Sequence, residues 1–174
     1  MEYQGGRLSP DPDGCRTMKR LSLLALLLLA QSVMAADLKP FHPASRTAIE
    51  QAHAGQPFVL AFWSVDCAYC PEEIRHLGAL VRKRPDIRLV LVSVDGMEMK
   101  SEVGTKLAEY LPDGKGERWI FAADDPDRLY FAIDRKWHGE LPRTYFYDGK
   151  GDVQGRSGVV SSTWLVEWAR SIAR

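Results

Sequence analysis

The chain has 174 residues, 45% of them hydrophobic, and its 23 basic and 23 acidic side chains leave a formal net charge of +0. Once an amino-terminal leader is set aside, that length suits one domain with one sizeable core. The balanced charge and the absence of a basic stripe argue against nucleic acid as a partner.

Residues 1–17 are polar and rich in Gly, Pro and Asp. They read as an upstream extension, with Met18 as the true start. Met18-Lys19-Arg20 precedes an apolar run from Leu21 to Ala30, and Val33-Met34-Ala35-Ala36 supplies a small-residue end. A positive start, a short apolar core and small residues at the end describe a secretory signal peptide over residues 18–36. The apolar core is well short of the ~20 residues that span a bilayer, and an uncleaved anchor is the alternative. Cleavage after Ala35 or Ala36 removes Cys15 with the leader. Cys67 and Cys70 then remain, an even count that suits one disulfide in an oxidising compartment such as the periplasm. The domain is expected over residues 37–174.

Ser45 to Ala54 reads as a helix, with Ser45 as a possible cap and Gly55 as the stop. Pro57-Phe58-Val59-Leu60-Ala61-Phe62-Trp63 reads as a buried strand. At its end stands Cys67-Ala68-Tyr69-Cys70. Ile74, Leu77, Leu80 and Val81 then recur at helical spacing from Cys70 to Arg84, and Pro85 ends the run. The strand brings the first thiol to the surface, and the helix start favours thiolate over thiol there. The second cysteine, one turn on, is near enough to close a small disulfide, and such a pair carries two electrons. A lone C-x-x-C is also half of a zinc site. The chain offers no second ligand pair, and His42, His53, His76 and His138 lack H-x3-5-H spacing. An inert structural disulfide is the remaining alternative.

Ile87 to Val94 is a second buried strand, and uninterrupted apolar runs of this kind suit a sheet covered on both faces. Met99, Val103, Leu107 and Leu111 mark a helix. Trp119 to Ala122 is a short strand and Asp125 to Ile133 a short helix. Thr144 to Tyr147 and Val153 to Ser157 flank Asp148-Gly149-Lys150-Gly151, a hairpin signal. Ser161 to Ala173 closes the chain as a helix burying Trp164, Leu165, Trp168 and Ile172. The alternation predicts an α/β fold, with a mixed central sheet between helices, in a single domain.

With these residues in place, the chain resembles the thioredoxin-like fold. Within it, the chain is most similar to the exported TlpA/ResA/CcmG-like thiol–disulfide oxidoreductases. The resemblance covers nearly all of residues 45–174. It rests on Phe62-Trp63 with the C-x-x-C, on the strand end Val92-Ser93-Val94-Asp95, and on Gly139-Glu140-Leu141-Pro142-Arg143-Thr144 leading into Tyr145-Phe146-Tyr147-Asp148. It implies that Pro142 follows a cis bond, faces the disulfide and presents the backbone of Leu141 to a bound substrate strand. An ordinary trans turn proline is the alternative. Trp63 and Tyr69 complete the expected substrate-binding set. Glu73 stands where these reductases carry a glutamate close to the thiol pair. A partly buried carboxylate there has a raised pKa and moves protons during exchange, whereas a solvated one only favours the helix dipole.

The sequence also departs from the thioredoxin pattern. Ala61 stands where thioredoxin has a buried aspartate. Asp66 replaces the tryptophan usual before the first cysteine, and its charge opposes thiolate formation at Cys67. The intervening pair is Ala68-Tyr69, and Pro71 follows the second cysteine. The resemblance implies an exported protein disulfide reductase in which Cys67 attacks, Cys70 resolves and Glu73 assists. No metal or organic cofactor is required. Its expected partners are cysteine-containing exported proteins and a membrane electron donor, and the chain is read as a monomer. An oxidase or isomerase of the same fold, a binding module with a structural disulfide, and a copper carrier resembling the SCO proteins are the alternatives. The copper carriers have C-x-x-x-C-P, one residue longer than the spacing here.

Overall fold

Ten apolar positions on two neighbouring strands organise the molecule. In the computed structural model, which describes Met1, residues 37–123 and residues 126–173, strand β2 (Phe58–Trp63) pairs in parallel with β3 (Arg88–Ser93). Every residue of β2 is buried, and all of β3 except Arg88. Alternate side chains leave opposite faces, so both faces must be covered.

On one face Val59, Ala61, Trp63, Leu89 and Leu91 meet helices α2 (Cys70–Lys83), α3 (Lys100–Tyr110) and α5 (Ser162–Ile172) through Ile74, Leu77, Val103, Leu107, Leu165 and Trp168. On the other, Phe58, Leu60, Phe62, Val90 and Val92 meet α1 (Ser45–Ala52) and α4 (Pro126–Ile133) through Ile49, Leu129 and Ile133. Strands β1 (Lys39–Phe41), β4 (Glu117–Phe121), β5 (Arg143–Tyr147) and β6 (Val153–Ser157) complete a six-stranded sheet in the order β1-β4-β3-β2-β5-β6. The first four run parallel, while β5 and β6 are antiparallel to β2 and to each other. The mixed α/β sheet between helices is therefore as the sequence predicts.

Between β5 and β6, Asp148 accepts hydrogen bonds from the backbone of Lys150 and Asp152. Gly149 has φ +76°, and a Cβ there would stand 2.8 Å from a backbone carbon of Gln56, so only glycine fits.

Three local expectations need correction. Ser45 is not the cap of α1; Ala44 is, and the Ser45 hydroxyl instead accepts from the His42 N–H at 2.8 Å. Trp164 and Ile172 pack on the core from half-buried positions rather than inside it. Strand β1 carries no sequence signal: it has three residues, one of them proline, and it forms because β4 offers a free edge. The extension, the signal-peptide reading and Asp125 lie outside the described residues. Among the described residues no helix is long and apolar enough to cross a membrane.

Candidate active site

Strand β2 stops at Trp63, and six residues lead to the first residue of α2. Three anchors shape that loop. Val94 N–H donates to the Trp63 carbonyl at 2.8 Å and Cys67 N–H to the Ser64 carbonyl at 3.2 Å. The third is Asp95, just past the end of β3. Its carboxylate accepts from the Ser64 hydroxyl at 2.8 Å, the Val65 N–H at 3.1 Å and the Ser93 hydroxyl. One carboxylate thus holds the start of the cysteine loop against the neighbouring strand.

Cys67 and Cys70 form a disulfide with Cα atoms 5.4 Å apart. Cys70 is the first residue of α2 and is 0% exposed, whereas Cys67 is only half-buried. The S–S bond draws Cys67 Sγ over the helix N-terminus, where unpaired N–H groups favour an anion. Pro71 sits in the first turn without breaking the helix, because its missing N–H has no partner there anyway.

Cys67 opens into a groove of about 390 Å³ lined by Ser64, Asp66, Ala68, Tyr69, Gly139 and Leu141. The Leu141–Pro142 bond is cis. This loop is braced from several sides. Trp137 Nε1–H donates to the Glu140 carbonyl at 2.9 Å, and the Glu140 carboxylate accepts from the Ser157 hydroxyl at 2.6 Å and the His138 N–H at 3.1 Å. Gly158 N–H donates to the Pro142 carbonyl at 2.8 Å.

Glu73, one turn beyond Cys70 on α2, is 1% exposed. Its carboxylate accepts from the Thr144 hydroxyl at 2.9 Å and from the Val160 N–H at 2.8 Å. Burial pushes its pKa above the ordinary carboxylate range, and those two hydrogen bonds pull it partly back. Thr144 is the register partner of Ala61 on β2. The helix therefore delivers a buried carboxylate beside the strand position where Ala61 supplies none. His76 Nδ1 lies 3.0 Å from the Val160 carbonyl, so α2 grips that segment twice.

The structure thus gathers Cys67, Tyr69 and Leu141 around one groove, with Pro142 behind it. Cys70 and Glu73 lie inside. Tyr69 is 66% exposed and free to touch a partner. Trp63 does not belong to that surface. It is 1% exposed and packs edge-on against Tyr110, because its place on β2 points it under α2 and α3. Its expected substrate contact is corrected to a role in the core. Asp95, Thr144 and Val160 had no assigned roles. The signal for Asp95 was present, a carboxylate closing an apolar strand level with a strand-end serine. The other two gave none. Among the described residues no group of three or more His, Cys, Asp or Glu side chains is placed to hold a metal ion.

No protein-family model and no curated protein matches the chain. Solved structures do. The thioredoxin domain of a thiol-disulfide oxidoreductase from Bacteroides vulgatus superposes with TM-score 0.56 at 14% identity, over 71% of this chain and 84% of that one. A thiol:disulfide interchange protein of the thioredoxin family from Chlorobium tepidum gives 0.54 at 15%, over 72% and 85%. A secreted Mycobacterium tuberculosis disulfide oxidoreductase homologous to E. coli DsbE gives 0.53 at 18%, over 70% and 85%. The sheet order, the cysteine pair ahead of α2, the cis proline opposite it and these superpositions together show that the chain has the thioredoxin-like fold.

Proposed function

We propose that this protein is an exported thiol–disulfide oxidoreductase that reduces disulfides of periplasmic client proteins. The observation that carries the reading is the asymmetry of the pair: Cys67 opens into the groove beside cis Pro142, and Cys70 is sealed behind it. In the reduced protein the Cys67 thiolate attacks a client disulfide. One client sulfur becomes bonded to Cys67, and the other leaves as a thiolate and takes a proton. Cys70 then gives up its proton, attacks Cys67 and releases the second client thiol. Two electrons pass from the dithiol to the client, and the Cys67–Cys70 disulfide is left behind. Glu73 is the nearest buried carboxylate on the same helix and accepts the Cys70 proton, a role supported by its raised pKa. A thiol donor at the membrane returns the two electrons.

Export rests on the leader pattern of residues 18–36. The reducing direction is supported by Asp66, whose negative charge beside Cys67 disfavours the thiolate and makes the dithiol a better donor. The test is equilibration of the pair with glutathione or dithiothreitol, followed by thiol trapping. A potential nearer the thioredoxin value of about −270 mV is expected, and one above about −150 mV would make the protein an oxidant instead.

A further inference from the structure

Asp66 is the one fixed charge in the groove. It borders Cys67 directly, is exposed, and its carboxylate carries no hydrogen bond or ion pair among the described residues. The other lining residues, Ser64, Ala68, Tyr69, Gly139 and Leu141, are neutral. Three charged side chains of the surrounding elements are already engaged. Arg143 pairs with Asp134 at 3.0 Å, Arg75 lies over the Tyr110 ring, and Glu140 is held by Ser157 and His138 N–H. His138 is exposed next to Gly139 and is not among the residues that line the groove. A carboxylate that helps neither the fold nor the Cys67 thiolate stands beside the attacking sulfur, flanked by the apolar surfaces of Tyr69 and Leu141.

We propose that this groove selects clients whose reactive cysteine is flanked by a lysine or arginine. The inference rests on the oxidoreductase reading and names the chemistry of its substrate. A cationic side chain one or two residues from the client sulfur reaches Asp66 while the sulfur reaches Cys67. An acidic one meets repulsion at the same place. The aliphatic stem of the lysine or arginine lies on Tyr69 or Leu141, as such stems do on apolar surface. An exposed pair of this kind is weak and screened by salt, so it sets encounter and preference rather than tight binding.

The experiment uses two peptides, each with one intramolecular disulfide, identical except for lysine or glutamate beside the cysteines. The exported chain is reduced with dithiothreitol, desalted and mixed with either peptide at pH 7.5. The rate at which Cys67 and Cys70 become oxidised is followed by alkylation. Each rate is divided by that of the same peptide with free dithiothreitol, which removes the intrinsic reactivity of the peptide. The lysine peptide is expected to react roughly threefold faster or more at low ionic strength, with the preference fading near 1 M salt where the Debye length is about 3 Å. Asp66→Asn should bring the ratio close to one, and Asp66→Lys should invert it. Because the readout is a ratio, a changed Cys67 pKa in these variants does not mimic the result. If oxidised glutathione oxidises the pair but the lysine-to-glutamate ratio is the same with and without Asp66, the charge preference is overturned and the oxidoreductase reading stands. If neither peptide nor oxidised glutathione oxidises the reduced protein, both fall together.

Discussion

Two residues one helical turn apart have opposite relations to water, and that difference sets their chemistry. Cys67 meets the groove and Cys70 does not. Cys70→Ser should therefore accumulate mixed disulfides with exported proteins, because the attacking thiol is kept and the release step is lost. Cys67→Ser should accumulate few. Non-reducing electrophoresis of the affinity-purified variants reads this, and equal trapping by both would refute the assignment.

Glu73 makes a second prediction at this scale. Its folded pKa lies above its ordinary value of 4.5. For an acid so shifted the folded state holds the proton more tightly than the unfolded chain. Its contribution to stability is full below pH 4.5 and is lost as pH rises through the folded pKa. The protonated form fits the site, since Val160 N–H still has a carbonyl oxygen and the Thr144 hydroxyl turns to accept. Glu73→Gln cannot ionise. Urea unfolding across pH, with the disulfide intact, should show the variant gaining on wild type as pH rises from 4.5. Parallel curves would place the proton elsewhere.

At the scale of elements, the loop between β2 and α2 is held by a neighbouring strand rather than by its own sequence. Asp95 takes three hydrogen bonds there, two of them from the loop itself. Asp95→Ala leaves the Val65 N–H without a partner and frees the hydroxyls of Ser64 and Ser93. Leaving partly buried donors unpaired costs about 1–3 kcal/mol. The expected result is a lower denaturant midpoint at unchanged slope, with Asp95→Asn retaining part of the loss because its carbonyl oxygen still accepts. An unchanged midpoint would mean the loop holds itself. The loop before β5 follows the same logic: Ser157 and Gly158, at the end of β6, brace it, and Trp137 within the loop closes on the Glu140 carbonyl.

For the whole molecule, a sheet covered on both faces explains why the strands read as unbroken apolar runs. The site then falls at the carboxyl ends of β2 and β3, as ligand sites do in sheets of this class. Among the described residues the fold begins early, since Leu38 is already buried and β1 begins at Lys39. The exported protein is expected to start near Ala36, and amino-terminal sequencing checks it. A chain that keeps Leu21 to Ala30 would be an anchored protein.

Local pattern was enough for much of this. The helical spacing of Ile74, Leu77 and Val81, the apolar runs of β2 and β3, the glycines of the β5–β6 turn and the C-x-x-C at a strand-to-helix junction are written within short windows. Periodicity reports which face an element buries, and turn chemistry reports where it ends. What lay beyond such windows depended on register between strands. Whether Trp63 faces groove or core, and that Pro40 and Phe41 extend an edge, followed only from pairing. Asp95 meets Ser64 across 31 positions, and Glu73 meets Thr144 across 71 and Val160 across 87. No periodicity encodes contacts at those separations. The sequence by itself determined the cysteine pair, its helix and the sheet's apolar centre. Only the tertiary structure decided that a buried carboxylate from α2 reaches the strand beyond the cis proline, because that contact exists only when β5 is seated against β2.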